Sequence, residues 1–578
     1  MKKIFILAIL AVSTIMLASC STDDPFEDLG YNDSWNNGTT NTDGSSAATG
    51  DLTTFDVAID LTTAEPTDVA TAYYPDEEDA LENNEFTTEV TIDLSNPVAK
   101  TENGVEVTVE GGHVKANHGE TKKVCYVVSG TTTNGSFTVL GDKKYAVKLN
   151  GVSITNPDSA ALNLLSGKRA FVILADGTTN TLADGTGGSQ KGALYCKGKL
   201  LFNGSGSLSV KAGTNNGIHS ADYIVFGKGN NIYVKSTANH GIKANDGIYV
   251  NGGILNVEVS AAAAKGLNCE SNIQFNGGRT TVITTGHGTY EDGEAKASAA
   301  VKADSIITVN GGELWLKSTG SGGKGLKADW EIYLNGGSVS VITEGSKYTS
   351  GNDTASPKGI KAGTKNVHGV LDINGGTIMV RTSGQNGEGI ESKGTLTVSD
   401  GTVQVAAYDD AVNSSGNMYV KGGTMTVVGQ NSDGLDANGN MYISGGTVVA
   451  FGAGGAETGI DVGEQYKLNI TGGNIFGIGG RIDATLGSTS QGIISATGSV
   501  SANTSVTVSN GSSTLATFVM PPYNYNNGSI MLSTTGMTSG NSYTVTFGSS
   551  SQTLTASSSL SSSGMGGNMG FGGKPGGK

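Results

Sequence analysis

The chain has 578 residues, of which 89 are glycine and only 9 are proline, with 6% aromatic and 15% charged residues. Glycine lacks the every-third spacing of collagen, and only the first segment is apolar enough for a membrane span, so collagen and polytopic membrane proteins are excluded. The net charge of -16 is concentrated in residues 21–96, which hold 19 Asp and Glu and no Lys or Arg. The remaining chain is nearly neutral, which gives no electrostatic footprint for nucleic acid.

The N-terminal residues 1–20 are typical of a bacterial secretory signal. Two lysines precede an apolar run that ends in Leu17-Ala18-Ser19-Cys20. This ending resembles the lipobox of bacterial lipoproteins, which implies acylation of the Cys20 thiol. The acidic residues that follow resemble the export signal of surface-exposed lipoproteins of the Bacteroides group. We therefore expect a lipid anchor in the outer membrane and exposure at the cell surface.

Residues 21–84 consist mainly of Asn, Thr, Ser, Gly and acidic residues. Such a segment buries too little apolar surface to fold. We predict that it is a disordered acidic tether and that the folded part begins at residue 85.

The middle of the chain repeats one short unit. A Gly-(Ile/Leu)-x-Ala motif and an Asn-Gly-Gly turn recur, and the apolar anchor of the first motif returns every 22 to 25 residues, with longer intervals of 30 and 34. This period is typical of a solenoid. The anchors are Leu194, Ile218, Ile242, Leu267, Val301, Leu326, Ile360, Ile390, Val412, Leu435 and Ile460.

Apolar and polar residues alternate within each unit, as in Ile332, Leu334, Val339 and Val341 around one Asn-Gly-Gly turn. This period of two predicts strands. Two strands flank the turn and a third carries the Gly-(Ile/Leu)-x-Ala motif. The consensus of leucine-rich repeats and the six-residue period of left-handed helices are absent. We predict an all-β, right-handed parallel β-helix of about 12 coils over residues 85–487.

Two further columns of the repeat predict structural roles. The asparagines that begin the turns should form a hydrogen-bonded ladder along the axis. The position two residues after each anchor is small and includes Cys196 and Cys269, which we expect to be buried free thiols. The ladder asparagines are Asn251, Asn276, Asn310, Asn335 and Asn374.

The segments 149–154, 158–161, 174–182 and 203–208 resemble the β-helical carbohydrate-binding family first recognised in cellulolytic clostridia. The resemblance covers residues from about 85 to 480. It implies a calcium-containing β-helix that binds acidic plant polysaccharide, above all polygalacturonate, and also cellulose, without catalysis.

The family often carries Asp-Asp-Gly-Ile-Lys-Ser in its coils. Residues 409–414 and 432–437 keep the acids of this motif, whereas earlier coils have lost them. Carboxylates stacked in adjacent coils need a hard cation between them, so we predict a Ca²⁺ site in the later coils. The expected ligands are Glu388, Glu391, Asp409, Asp410, Asp433, Asp436 and Asp461.

The positions two before and one after each anchor lie outside the core and close together. They are basic in the middle coils and acidic in the later coils. Coils stack about 4.8 Å apart, so like charges repel unless an opposite charge lies between them. We therefore predict that this edge binds an anionic, polygalacturonate-like polysaccharide. The lysines are Lys243, Lys265, Lys302, Lys324, Lys327, Lys358 and Lys361.

Two insertions, 286–296 and 345–357, precede an anchor motif on the side where the lysines begin. Long loops in repeat proteins tend to line the binding face. Trp315 and Trp330 lie between the insertions in sequence, and we expect them to stack on sugar rings.

These features favour a non-catalytic, monomeric surface protein that binds polysaccharide. Two alternatives stay open: a pectate-lyase-like enzyme in which a lysine of low pKa is the base, and a surface adhesin or scaffold. A polygalacturonase is disfavoured, because its His and paired-Asp motifs would occur here in reversed order, at 286–288 and 409–410.

The repeat stops near residue 488. Residues 488–560 alternate Thr, Ser, Gly and Val, and we predict a small β cap on the open end of the solenoid. The Gly- and Met-rich residues 561–578 are predicted to be disordered.

Overall fold

The computed structural model describes Ala48–Thr49 and residues 72–560. The predicted signal sequence with Cys20, most of the predicted tether and the 561–578 tail lie outside these residues. The described part is all β, apart from the short 3-10 turns Glu77–Asp79 and Leu81–Asn83. It has no helix long and apolar enough to cross a membrane.

Parallel strands stack in three ladders and form a β-solenoid of about 15 turns. The first ladder contains Thr88–Asp93, Val124–Thr132, Tyr145–Asn156, Ala170–Leu174, Leu200–Gly204, Tyr223–Phe226, Gly247–Val250, Asn272–Phe275, Ile306–Val309, Glu331–Leu334, Val370–Ile373, Thr395–Val398, Met418–Val420, Met441–Ile443, Leu468–Ile470 and Leu486–Thr489.

The second ladder shares the long strand Tyr145–Asn156 with the first, since that strand pairs with both Ala170–Leu174 and Thr179–Asp184. It continues through Ser207–Ala212, Asn231–Ser236, Ile254–Val259, Arg279–Thr284, Glu313–Ser318, Ser338–Thr343, Thr377–Thr382, Thr402–Ala407, Thr424–Gly429, Thr447–Phe451 and Asn474–Gly479.

The third ladder belongs to a separate 16-stranded sheet. It begins with the antiparallel strands Lys100–Glu102 and Val105–Glu110. Its parallel strands are Gly112–Asn117, Gly135–Leu140, Leu162–Leu164, Gly192–Cys196, Asn216–Ser220, Ile242–Ala244, Lys265–Cys269, Ala299–Ala303, Lys324–Ala328, Lys358–Ala362, Glu388–Ser392, Val412–Ser414, Leu435–Ala437 and Ile460–Val462.

The prediction of three parallel strands per coil is confirmed, but the solenoid has more coils than predicted. The additional coils lie at its N-terminal end, where Gly112–Asn117, Gly135–Leu140 and Leu162–Leu164 already belong to the third ladder. These strands lack the Gly-(Ile/Leu)-x-Ala motif. Counting on that motif therefore missed them.

The anchor residues lie directly above one another, from Leu194 paired with Ile218 to Leu435 paired with Ile460. All of them are buried in one continuous apolar core. A glycine precedes eight of the eleven anchors, and close packing favours it, because a Cβ at Gly325 would lie 2.1 Å from Cγ1 of Val341 on the second ladder. The glycine of the repeated motif thus reflects how closely the second and third ladders approach each other.

The predicted asparagine ladder is present. Asn276, Asn310, Asn335 and Asn374 each donate a side-chain hydrogen bond of 2.9–3.0 Å to the asparagine of the preceding coil. At the start of the ladder, Asn251 exchanges hydrogen bonds of 2.8 and 3.0 Å with the backbone of Tyr73. Cys125, Cys196 and Cys269 are buried free thiols, as predicted for the latter two.

The last part of the predicted tether is ordered against the solenoid. Asp79 is fully buried and accepts hydrogen bonds from Arg169 Nε at 2.8 Å and Tyr223 Oη at 2.6 Å. Tyr74 and Leu81 pack on an apolar cluster on the first ladder. We call residues 72–86 the N-terminal clasp. Composition alone placed 72–84 in the tether because its acidic residues were counted as solvated, whereas one of them is buried against an arginine.

The insertions form two β-hairpins, Thr289–Glu291 with Glu294–Lys296 and Tyr348–Ser350 with Asp353–Ala355. They contact each other, since the Ala295 N–H donates to the Asp353 carboxylate at 2.5 Å.

Residues 488–560 contain Ile493–Val500, Asn524–Ser533 and a four-stranded antiparallel sheet of Ser505–Asn510, Ser513–Val519, Ser542–Phe547 and Ser550–Thr555. Asn524–Ser533 pairs with Asn474–Gly479 and occupies the open edge of the second ladder; it also pairs with Ala48–Thr49. Phe518 of the small sheet packs on the outward Phe476. This region therefore covers the side of the solenoid as well as its end.

Replacing the buried carboxylate of the clasp should release it. We expect Asp79→Ala to lower the free energy of local opening of residues 72–86 by about 3 kcal/mol, because it leaves Arg169 without its buried partner. Hydrogen exchange of the clasp amides measures this change. The control Glu78→Ala removes an exposed partner of Arg169 at 3.2 Å and should cost less than about 1 kcal/mol. Equal effects of the two variants would contradict the assignment.

Candidate functional site

Two columns of outward side chains run along the third ladder in register. The central column, one residue after each anchor, contains His219, Lys243, Asn268, Lys302, Lys327, Lys361, Glu391, Asn413, Asp436 and Asp461. The flanking column, two residues before each anchor, contains Lys265, Ala299, Lys324, Lys358 and Glu388. The structure thus brings the predicted lysines together and places the change of sign where predicted.

The lysines of the middle coils open onto one cleft of about 760 Å³, here called the lysine cleft. The hairpin strand Glu294–Lys296 forms part of its wall, so the first insertion does border the lysines. Its cationic side chains are Lys243, Lys265, Lys296, Lys302, Lys324 and Lys327. Its carboxylates are Glu270, Glu294, Asp304 and Asp329.

Three lysines of the central column are paired with acids. Lys243 contacts Glu270 at 2.9 Å. Asp329 lies between two coils and contacts Lys302 at 3.1 Å and Lys327 at 3.0 Å. The repulsion expected between stacked lysines is thereby reduced within the protein itself.

The prediction from the sequence missed these acids. Glu270, Asp304 and Asp329 each directly follow the small inward residue of their strand. They therefore form a third column, which the alignment that revealed the lysines also contained. Asp304 forms an ion pair with Lys302 of its own coil.

Two of the three lysines of the flanking column, Lys265 and Lys324, differ from these. Lys324 Nζ donates to the Gly322 carbonyl at 2.9 Å, and Lys265 Nζ donates to the Ala263 carbonyl. Burial, followed by the charge of Lys327 and other nearby lysines, lowers the pKa of Lys265 to about 8. Burial likewise lowers the pKa of Lys324 well below its usual value. These two amines therefore lose their protons more readily than exposed lysines do.

His240 contributes a neutral ring to the cleft. Burial, and then the charges of Lys265 and Lys243, lower its pKa to about 3. The Lys265 backbone N–H donates to His240 Nδ1 at 3.0 Å, which leaves the proton of the neutral ring on Nε2. The imidazole is thus a neutral hydrogen-bond donor at physiological pH.

The upper end of the lysine edge is a buried ion-pair cluster rather than part of the cleft. Lys358 contacts Glu388 at 2.5 Å and Glu391 at 3.5 Å. Glu391 also pairs with Lys361, and with Lys393 at 2.5 Å. The sequence had predicted that Lys358 and Lys361 bind the glycan and that Glu388 and Glu391 bind calcium. Because the two columns meet with opposite signs here, these groups neutralise one another instead.

The two tryptophans have different surroundings. Trp315 is only 8% exposed and packs against the Arg279 guanidinium, 5.1 Å from the ring centroid. Its predicted role in stacking on sugar does not fit this burial. Trp330 is 55% exposed and follows Asp329 in the turn after Lys324–Ala328. It is an exposed aromatic side chain next in sequence to Asp329, which lines the lysine cleft.

The later acids are held by hydrogen bonds. The Asn413 side chain donates to Asp410 at 3.2 Å and to Asp436 at 2.8 Å, and Asp433 accepts the Thr458 N–H at 2.6 Å. Burial raises the pKa of Asp433 to about 8. Asp461 pairs in register with Asp436, and burial followed by the charge of Asp410 raises the pKa of Asp409.

Within the described residues, no group of three or more His, Cys, Asp or Glu side chains is arranged to hold a metal ion. Calcium therefore stays a prediction of the sequence.

Comparison with known proteins identifies a family for this chain. A family model described as "Carbohydrate-binding domain-containing protein" matches residues 101–261, 226–387 and 369–519. The chain belongs to this family. The matched residues include every coil that lines the lysine cleft, and the family predicted from the opening coils is confirmed.

Individual relatives are distant. A carbohydrate-binding domain-containing protein of Acetivibrio thermocellus is 32% identical over 126 residues, which are 20% of this chain and 44% of that protein. The chain thus matches less than half the length of this curated relative. A solved gadolinium derivative of the polysaccharide lyase-like protein from C. thermocellum covers 66% of this chain and 99% of that chain, with 16% identity and a TM-score of 0.23.

The ion-pair cluster predicts unequal effects of two similar substitutions. Burial alone would raise the pKa of Glu391, but Lys358, Lys361 and Lys393 outweigh it and lower that pKa. Glu391 therefore stabilises the fold above its unfolded pKa, and this contribution is lost as pH falls. We expect Glu391→Gln to lower the free energy of unfolding by about 3 kcal/mol at neutral pH.

The matched control is Glu388→Gln. Burial raises the pKa of Glu388 to about 6 despite Lys358, so its charge is opposed by its surroundings. Removing that charge should cost less than about 1 kcal/mol. Chemical denaturation compares the two variants, and a larger loss for Glu388→Gln would overturn this account of the cluster.

Proposed function

We propose that the protein is a non-catalytic, cell-surface polysaccharide-binding protein and that acidic, polygalacturonate-like chains bind in the lysine cleft. The observation that carries the proposal is the composition of this cleft, where six lysines face four carboxylates. Membership of the carbohydrate-binding family supports a polysaccharide as the partner. The excess of basic side chains over carboxylates favours a polyanion over a neutral chain.

Binding in such a cleft depends on several weak contacts made together. A single exposed Lys–carboxylate contact contributes only about 0–1 kcal/mol. A uronate chain repeats its carboxylate along its length and can satisfy several lysines at once. Trp330 adds a face on which a sugar ring can stack, and His240 offers a donor for a hydroxyl group.

The cleft is shorter than the predicted lysine edge. Lys243 and Lys327 are three coils apart in the central column, which is a span of about 14 Å. The cluster around Glu391 closes the edge beyond them. A short oligomer should therefore fill the site, and affinity should stop rising once that length is reached.

A second candidate function is polysaccharide elimination, as in a lyase. The observation that favours it is the lowered pKa of Lys265 and Lys324, since a neutral amine can act as a general base. Formation of an unsaturated uronate product would show this activity. Family membership favours binding alone, so we place elimination second.

The location of the protein is the other part of the proposal. We infer that it is an outer-membrane lipoprotein anchored through Cys20 and displayed at the cell surface. The lipobox-like segment 17–20 and the acidic residues after it support this assignment.

Binding should depend on the flanking lysines. We expect the double variant Lys265→Met/Lys324→Met to bind oligogalacturonate about tenfold more weakly, because two amines that can pair with ligand carboxylates leave the cleft. Isothermal titration calorimetry measures the change. The control Lys122→Met/Lys211→Met removes two exposed lysines that do not line the cleft and should bind like the wild type.

Salt and ligand charge provide further tests of the same site. Wild-type affinity for oligogalacturonate should fall as salt rises, whereas binding of neutral cello-oligosaccharides should be nearly insensitive to salt. If the wild type binds only neutral chains, or the double variant retains full affinity, the cleft is not the acidic-glycan site.

Lipid attachment is expected at Cys20. In the native host, metabolic labelling with an alkyne fatty acid should label the wild type and the control Cys125→Ser, but not Cys20→Ser. The label is expected on the thiol of Cys20, whereas Cys125 is buried in the fold. An unlabelled wild-type protein would remove the basis for the anchor.

A further inference from the structure

The flanking column contains a gap between two lysines. Lys265, Ala299 and Lys324 occupy successive coils in register, so the two lysine backbones are about 9.6 Å apart. Ala299 contributes only a methyl group between them. The hairpin residues Lys296 and Ala297 line the same part of the cleft. Ala299 therefore separates the two lysines in this wall of the cleft, with Lys265 in the coil before it and Lys324 in the coil after it.

The amines of Lys265 and Lys324 lack the partners that other cleft lysines have. Lys243, Lys302 and Lys327 each contact a carboxylate. Within residues 72–560, no carboxylate lies within ion-pair distance of Lys265 or Lys324, and the hydrogen bonds of their amines go to backbone carbonyls. An anion that pairs with these amines must therefore come from a ligand.

We propose that Lys265 and Lys324 form a carboxylate pocket over Ala299, and that these amines take up protons from solvent when a uronate carboxylate enters it. This inference rests on the proposed function, since it names the subsite and the chemistry of the same cleft. According to this inference, Lys265 and Lys324 carry their positive charge in the ligand-bound state.

The charges around the pocket explain why binding of a carboxylate is coupled to proton uptake. Burial and neighbouring lysines lower the pKa of both amines in the free protein, that of Lys265 to about 8. A carboxylate in contact raises an amine pKa, because it favours the charged form. The charged and titratable groups that face the two amines are His240, Lys243, Glu270, Glu291, Glu294, Lys296, Lys302, Asp304, Lys327, Asp329, Lys358 and Lys361.

The direction of the pH dependence follows from these shifts. The bound state holds more protons than the free state, so binding is favoured at low pH. Below the free pKa values, affinity should be constant. Above about pH 8 for Lys265, and above its own lowered pKa for Lys324, affinity should fall by up to about tenfold per pH unit for each amine. His240, whose pKa is about 3, does not titrate in this range.

Calorimetry measures the proton uptake directly. Oligogalacturonate is titrated into the full chain at pH 8, in two buffers of different ionisation enthalpy. Net uptake of protons on binding supports the pocket. Binding with no proton uptake, or affinity that rises with pH, overturns it while leaving the proposed function intact. An affinity that rises with pH together with unsaturated product would instead favour elimination.

Arginine substitutions separate charge from titration. Arginine stays protonated throughout this pH range, so Lys265→Arg/Lys324→Arg should bind oligogalacturonate with little proton uptake and a flat pH profile. The matched control Lys243→Arg changes a lysine already paired with Glu270 and should keep the wild-type profile. A steep profile in the double arginine variant would show that other groups carry the pH dependence.

A readout without ligand tests the pocket if no glycan binds. Competitive acetylation at a series of pH values, followed by mass spectrometry, should show Lys265 and Lys324 reaching their neutral, reactive form at lower pH than an added Nα-acetyl-lysine standard. Titration of both lysines together with the standard would contradict the inference. Failure of oligogalacturonate to bind, with the expected order of titration, would instead reject the acidic-glycan function.

Discussion

The structure depends on the in-register stacking of coils about 4.8 Å apart. Every side chain of one coil lies over the side chain at the same position of the next coil. The type of residue at one position therefore recurs along the axis. Apolar positions become a continuous core, and the turn asparagines become a ladder closed by Tyr73. The same rule places charges in columns, where like charges meet at short range.

The repulsion between stacked lysines is reduced in three ways along the lysine edge. Asp329 bridges Lys302 and Lys327 from a neighbouring column. Farther along, the columns change sign, so that Lys358 and Lys361 are neutralised by the glutamates of the following coil. For Lys265 and Lys324 of the flanking column neither arrangement applies, and burial favours loss of the proton from both amines. These two amines are therefore left without a carboxylate partner, which a ligand can supply.

Much of the fold could be predicted, because stacked coils repeat the same pattern of residues and the pattern of one coil indicates that of the next. The anchors, the asparagine ladder and the lysine columns were all readable from spacing, and their register is as expected. Side-chain partners across columns were not readable in this way. Trp315 was predicted to face a sugar from its outward alternation, but alternation does not reveal that Arg279 lies over it. Asp79 was likewise assigned to a solvated tether, because its partner Arg169 is 90 residues away.

The positions of the clasp and the cleft also bear on how a protein held by the proposed N-terminal anchor can bind a large ligand. The clasp packs on the first ladder, where Asp79 contacts Tyr223, and Tyr73 reaches Asn251 in the coil that also carries Lys243. The lysine cleft begins at this same level but opens from the third ladder. The attachment of the chain and the proposed glycan site therefore use different faces of the solenoid. A polysaccharide can occupy the cleft without displacing the clasp, and docking of the clasp leaves the lysines accessible.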